Sequence, residues 1–375
     1  MTTTILKYFR TLLPILLLVF QCDVMAESNA IVVGQAIDLS GPNGSIGRDY
    51  VAGITTYFDS INSSGGINGK RIKYLARDDQ GIPAQSAKAV TELLEKDKAE
   101  YLLGGIGAAV TDAVIAAPKF AQSGHTLFAP LIGSVKSYGS NVLFWRPSPE
   151  QEMQYIFSYF DKLGIKSVGI AVQESALNQD LVQYVTTELR KRNMTLSGTV
   201  HIGNSPASID KESNALAKAN PNVVITVADT LGTGMFLKEF RKYAPKTFVA
   251  GISLINLDTL AEVAGAKSLE WTVFSQVVPN PLAKKSPIQI DHSNMMKKFR
   301  DEDISSLTLE GFAVAKTLVK AIQLSKSGKD GLQALAAQKG LLDLGGMMIM
   351  PSSNNQHMSN FVEMALFKKG GGLLF

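Results

Sequence analysis

Ile31-Val32-Val33-Gly34-Gln35-Ala36-Ile37 is followed by an apolar stripe at Val51, Ile54, Tyr57, Phe58 and Ile61 and then by a second β-rich run over 71–75. That stretch decides the fold. The first run is almost wholly apolar and β-branched, the pattern of a strand covered on both faces. The stripe recurs every three or four residues across 49–63, which predicts an amphipathic helix. Gly65-Gly66 stops that helix, and Asn68-Gly69 turns the chain into the next strand. Strand, helix and strand in this order make a parallel pair, because a parallel neighbour is reached through a right-handed crossover.

The rhythm continues outward. Helices are predicted over 83–95 and 109–122, and strands over 101–103 and 126–129. After Arg146-Pro147-Ser148-Pro149 a second series opens. Helices at 151–163, 177–192, 209–219 and 231–243 alternate with strands at 167–172, 196–202, 222–227 and 247–250. A strand at 271–278, a Pro279-Asn280-Pro281 break and helices at 293–299 and 308–325 then lead back to the first series. Final strands near 347–350 and 361–367 return to the second. The expected fold class is α/β, with two doubly wound parallel sheets, each covered by helices. The expected lobes are residues 27–146 with 278–345, and 147–277 with 346–375.

A chain of 375 residues that is 45% hydrophobic and 19% charged excludes disorder, a collagen-like repeat and a highly charged nucleic-acid tail as its main theme. Residues 1–26 read as a cleaved export signal, with Lys7 and Arg10, an apolar run over 11–20, and Val24-Met25-Ala26 at the cleavage site. The competing reading is a membrane anchor. The run is about half of the roughly 20 residues a span requires, and Pro14 and Gln21-Cys22-Asp23 interrupt it. Cleavage would remove two of 37 basic and one of 33 acidic residues, leaving 35 against 32 and a net charge of +3. So balanced a surface points to neither nucleic acid nor an anionic membrane. Cys22, the only cysteine, falls inside the signal, so the mature chain is expected to lack disulfides and thiol chemistry. Lipidation at Cys22 is the alternative, although Phe20-Gln21 lacks the small residues such processing favours.

Enzyme signatures are missing. His125, His201, His292 and His357 show no metal-ligand spacing, and neither a Gly-x-Ser-x-Gly elbow nor a His-Glu-x-x-His helix occurs. Asp78 and Asp79 adjoin on an extended segment and so point to opposite faces, one of them available to brace a lobe edge. The charged cluster from Lys297 to Asp303 reads as a solvated helix end, and Met347, Met348 and Met350 as an apolar core strand. Gly41-Pro42-Asn43-Gly44-Ser45-Ile46-Gly47 lacks the Gly-Lys-Ser/Thr ending of a phosphate loop. Neither cofactor nor metal is expected.

Three stretches carry a family resemblance: Leu39-Ser40-Gly41-Pro42 with Gly47, Ile61 through Gly65-Gly66-Ile67-Asn68-Gly69-Lys70, and Asp78-Asp79 with Pro83. In order and separation they resemble the leucine/isoleucine/valine-binding family of type I periplasmic substrate-binding proteins, from about residue 31 to the C-terminus. The Gly-Gly-Ile-Asn-Gly-Lys segment is its most specific part. The resemblance implies two α/β lobes joined by three crossover strands that close on a small solute. It also implies a monomeric periplasmic receptor that docks on the permease subunits of an ABC importer. A sensory binding protein of the same fold, or a hydrolase on the same scaffold, are the competing classes.

The resemblance also locates the pocket. Ser40 sits after the first strand, where open parallel sheets bind ligands, although a plain surface turn is the alternative there. In amino-acid-binding members, hydroxyls after the strands at 101–104 and 126–130 hold the ligand carboxylate, and an acid of the second lobe holds its ammonium. Here Ala108 and Ala109 occupy the first position, Ile132 and Gly133 the second, and Ser253 replaces the acid. Asp229 is the one acidic residue placed to substitute for it, while Ile46 and Leu177 stand where aromatics are common. Lacking hydroxyls and acid, such a site is expected to hold a zwitterion poorly and to favour an apolar or aromatic carboxylate on backbone amides. A shift of alignment by one or two residues would instead bring in Thr111 or Ser134 and restore an ordinary amino-acid site.

Overall fold

The computed structural model describes residues 30–375 except 134, 174–175, 204, 327–329, 352–355 and 369–372, and the side chains of 176–179. Residues 1–26, expected to be an export signal, lie outside the described residues.

β1 (Ala30–Ile37) leads into α1 (Gly44–Ser63), β2 (Arg71–Asp78), α2 (Pro83–Glu95) and β3 (Tyr101–Leu103). The predicted helix at 109–122 is two helices, α3 (Ala108–Ala116) and α4 (Pro118–Ser123). Pro118 cannot donate a backbone bond and drives Ala117 into an extended conformation, which splits them. β4 (Leu127–Phe128) and β5 (Val142–Leu143) complete a five-stranded parallel sheet in the order β2-β1-β3-β4-β5.

The second lobe opens with α5 (Pro149–Lys162), started by a capping box between Ser148 and Gln151. There follow β6 (Ser167–Gln173), α6 (Ala176–Lys191), β7 (Thr195–Ile202), α7 (Pro206–Lys218), β8 (Val223–Val227), α8 (Thr230–Phe240) and β9 (Phe248–Gly251). α9 (Leu257–Ala264) was not apparent in the sequence. β10 (Thr272–Gln276) pairs in parallel with β9, so it belongs to the second sheet rather than leading the chain out of it, as expected for 271–278.

α10 (Pro287–Phe299), α11 (Ser306–Leu324) and α12 (Gly331–Ala336) pack back on the first lobe. β11 (Leu342–Asp343) and β12 (Met348–Ile349) form a separate hairpin, where Met347 and Ile349 join the first lobe's core. The expected core strand at 347–350 is thus only half buried, because side chains alternate and Met348 and Met350 face outward. Only β13 (Glu363–Phe367), antiparallel to β10, and β14 (Leu373–Leu374) return to the second sheet, whose order is β14-β13-β10-β9-β8-β6-β7.

Alternation covers both sheets on both faces. Val33 and Ile37 join the core under α1 and α11, while Ala36 joins that under α2 and α3. Val223, Ile225 and Val227 face α5 and α6, and Val224 faces α7 and α8. The chain crosses between the sheets three times. The first and third crossings run side by side, with Met358 N–H on Phe144 O and Ser359 N–H on Trp145 O. No described helix is long and apolar enough to cross a membrane.

Candidate functional site

In an open parallel sheet, ligands bind beyond the strands' carboxyl ends where the strand order reverses. Here the reversals fall between β1 and β3 in one sheet and between β6 and β8 in the other. A cavity of about 160 Å³ lies between the loops that follow these strands. The first lobe contributes Asn43 and Ile46 from the start of α1, Ile106 to Ala108 after β3, and Leu131 and Gly133 after β4. The second contributes Leu181, the run from Thr226 to Asp229, and Gly251, Ile252, Leu254 and Ile255.

The loop after β1 is built by carboxylates. Asp38, buried, accepts from the Gly41 and Asn43 amides at 2.6 and 2.9 Å, an Asx-type turn that aims α1 at the cleft. Gly47 lets the helix approach, since a Cβ there would fall 1.8 Å from Asp38 O. Asp78 accepts from Leu39 N, Ser40 Oγ and Gln80 N, and these bonds outweigh desolvation to hold its carboxyl below the usual range. Asp79 turns inward to Ser86 and Gly81, and burial pushes its pKa up. The pair therefore braces two loops from opposite faces.

The sequence-predicted residues part company here. Ile46, Ala108, Gly133 and Asp229 come together on the cavity wall. Ile132, between Leu131 and Gly133, points the other way into the core with Phe120 and Phe144. Ser40 and Ala109 are exposed and off the wall, Ser40 held by Asp78. Leu177 lies in α6 with its side chain outside the described set. Ser253 is buried beside a different cavity, its Oγ accepting from Arg146 Nη2 and its N–H donating to Glu152 at 2.8 Å. Of the residues a shifted alignment would recruit, Thr111 is buried and bonded to Gly107 O, and Ser134 lies outside the described residues. Thr226 to Ala228, and Gly251, Ile252, Leu254 and Ile255, were readable as strand ends and their loops in the sequence but not as wall, because facing depends on the partner lobe.

Two features of the wall have chemical consequence. Gly107, φ +101°, is the N-cap of α3 and gives it no side-chain cap, so the helix's first-turn amides are open donors at the cavity edge. Asp229, by contrast, is occupied. One oxygen caps α8 through Gly232 N–H at 2.7 Å and the other accepts from Gln173 Nε2 at 3.0 Å. The wall's one threonine hydroxyl, Thr226, donates to Ala250 O at 3.3 Å. The cleft can therefore receive an anionic or carbonyl group on backbone amides within apolar walls.

The histidines lie elsewhere. His292 is buried against Thr308 and Phe312, and His357 stacks on Phe144 with Nδ1 2.8 Å from Arg146 O. Among the described residues no three His, Cys, Asp or Glu gather as a metal site.

Residues 30–371 match the family model described as periplasmic binding protein. The Leu/Ile/Val-binding protein homolog 1 of Brucella suis biovar 1 is 25% identical over 317 residues, 79% of each chain. An extracellular ligand-binding receptor from Verminephrobacter eiseniae shares the fold with a TM-score of 0.84 at 20% identity, covering 92% of this chain and 100% of that one. LivJ of Streptococcus pneumoniae, solved in complex with isoleucine, does so with a TM-score of 0.77 at 16% identity, covering 92% and 97%.

Proposed function

The chain belongs to the periplasmic binding protein family, and from that premise we propose that it is a non-enzymatic receptor that captures a small solute and delivers it to the permease of an ABC importer. It is exported on residues 1–26 and acts as a monomer. The observation that carries this reading is a single cavity walled by the switch-point loops of both sheets. A ligand closes two lobes only if it binds the closed state better than the open one, and contact with both supplies that difference.

The ligand in this reading is a small amino acid or, better, a related apolar or aromatic carboxylate. Its carboxylate meets the uncapped start of α3, and its body meets Ile46, Leu131, Leu181 and Ile252. An ammonium finds no uncommitted acid on this wall, because Asp229 is tied to Gly232 and Gln173. Desolvating an ammonium without a partner is costly. Similarity to a Leu/Ile/Val-binding homolog and to a structure holding isoleucine supports the size class.

Calorimetry with leucine and 4-methylpentanoate, which shares its skeleton but has no ammonium, tests the assignment. The expected result is a micromolar Kd for the carboxylate, about −8 kcal/mol, and binding of leucine at least about tenfold weaker. Micromolar leucine with weaker 4-methylpentanoate would restore an ordinary amino-acid site. Failure of the liganded protein to stimulate ATP hydrolysis by any cognate permease would remove the transport role.

A further inference from the structure

A second cavity, of about 370 Å³, lies on the hinge side of the cleft, with Ile255 the one described wall residue common to both. Its walls are mainly apolar and come from both lobes: Ile304 and Leu307 at the start of α11 on one side, Leu257, Ala261 and Leu269 around α9 on the other, with Phe367 from β13. It lies outside the cleft reading and extends it.

The cavity's buried carboxylate is Glu310. The residue is 2% exposed, and its Oε1 accepts no hydrogen bond. The nearest cation is Arg146, whose Nε lies 3.4 Å away outside hydrogen-bond geometry and whose Nη1 also finds no partner. Arg146 is shared. Its Nη2 donates to Ser253 Oγ, and the Ser253 amide donates to Glu152 Oε2, which is itself buried and also bonded to Ser275 at 2.6 Å. Glu152 meets Arg146 only through Ser253, so among the described residues this cluster holds two buried carboxylates and one buried guanidinium, which lies nearer Glu310.

The rest of the described wall adds acids and no buried cation. Asp49 accepts from Ser305 at 2.8 Å and Asn256 at 3.2 Å, and Asp258 adds a further acid. Lys368 is the only cation on the wall among the described residues, and it is exposed. A buried carboxylate in this position is costly until a cation or a proton joins it. Burial does push the Glu310 pKa up, against the pull of Arg146. A hard metal ion is a poor candidate, since it needs about six oxygen ligands and no such group of side chains gathers among the described residues. An ammonium needs one carboxylate and tolerates apolar neighbours around its carbon chain.

We propose that this hinge-side chamber is a second binding site, for an amphipathic amine whose ammonium pairs with Glu310 and whose hydrocarbon body lies between α9 and α11. Calorimetry on the purified protein with n-hexylammonium, hexanoate and 1-hexanol is the test. Hexylammonium should bind at one equivalent, with hexanoate and hexanol at least about tenfold weaker. Glu310→Gln should weaken hexylammonium by a similar factor, and Ala261→Phe, which fills the chamber, should abolish it. Gly133→Phe, which fills the cleft, should leave it within about twofold. Because the Ala261 and Gly133 variants report independently, the test survives a misfolded Glu310→Gln protein. Equal binding of hexanoate, no binding of hexylammonium to folded protein, or loss on Gly133→Phe but not on Ala261→Phe would overturn the site.

Discussion

Asp229 shows why a residue type alone does not name a role. In the sequence it is the acid nearest the expected ammonium, yet at the N-cap of α8 its carboxylate is the natural acceptor for Gly232 N–H. Asp229→Ala should therefore cost about 1 kcal/mol of stability by urea unfolding, and Asp229→Asn less than half of that. Equal losses would mean that the charge, not the cap, is what matters. His292 offers a pH signature. Burial pushes its pKa down to about 4, so between about 4 and its ordinary 6.5 the unfolded chain carries a proton that the folded one refuses. Its contribution is complete above 6.5 and is lost as pH falls toward 4, by about 3 kcal/mol at most. Asp49, Asp79, Asp258 and Glu310, raised by burial, have the opposite sign and gain stability on acidification. The clean observable is thus a difference: melting of the wild type minus that of His292→Gln should decline across this window, and a flat difference refutes the assignment.

Among the elements, α1 and α11 form the closest helix pair of the first lobe. A Cβ on Gly53 would sit 1.9 Å from Thr308 O, and one on Gly311 2.1 Å from Tyr50 O, so backbone meets backbone where the helices cross. Gly311→Ala should cost about 1–3 kcal/mol by guanidinium unfolding despite alanine's better helix propensity, because neither helix can withdraw from a packed core. A stabilised variant would show that the crossing is looser than described. This pairing is invisible to periodicity, which places each helix but not its partner 250 residues away. The same limit explains α9. It is only eight residues long, five of them apolar, too short for periodicity to separate it from a loop, and Asn256, Leu260 and Ala264 acquire meaning only against α8 and the opposite lobe. By contrast α2 and β3 have their predicted bounds, since a proline start and a short apolar run are local signals.

At the scale of the molecule, the lobes touch across the cleft through Asn256. Its Nδ2 lies 3.4 Å from Ser45 O and 3.2 Å from Asp49 Oδ2, while its Oδ1 caps α9 through Thr259 N–H. Asn256→Asp separates these duties. The cap is kept, the donor is lost, and a carboxylate now faces Asp49. The closed state alone should suffer, so the cleft's best carboxylate ligand should bind about three- to tenfold more weakly, mainly through faster release, with little change in Tm. Unchanged affinity would show that this contact does not favour closure. The hinge cluster of Arg146, Glu152 and Glu310 lies where the first crossing meets α5 and α11, so its charge state and the lobe angle share the same atoms.

Short-range periodicity and turn chemistry are enough to set the alternation of strand and helix, the two α/β halves and the strand ends where a ligand would sit. Ile46, Ala108, Gly133 and Asp229 were nominated through the family resemblance, and the fold sets all four on one cavity wall. Packing between distant segments turns Ile132 into the core, puts Ser253 at the hinge, and leaves Glu310 Oε1 beside Arg146 without a hydrogen bond. Those outcomes depend on which side chains from distant segments reach the same few ångströms, and burial, charge balance and facing are properties of that meeting rather than of any one stretch of chain.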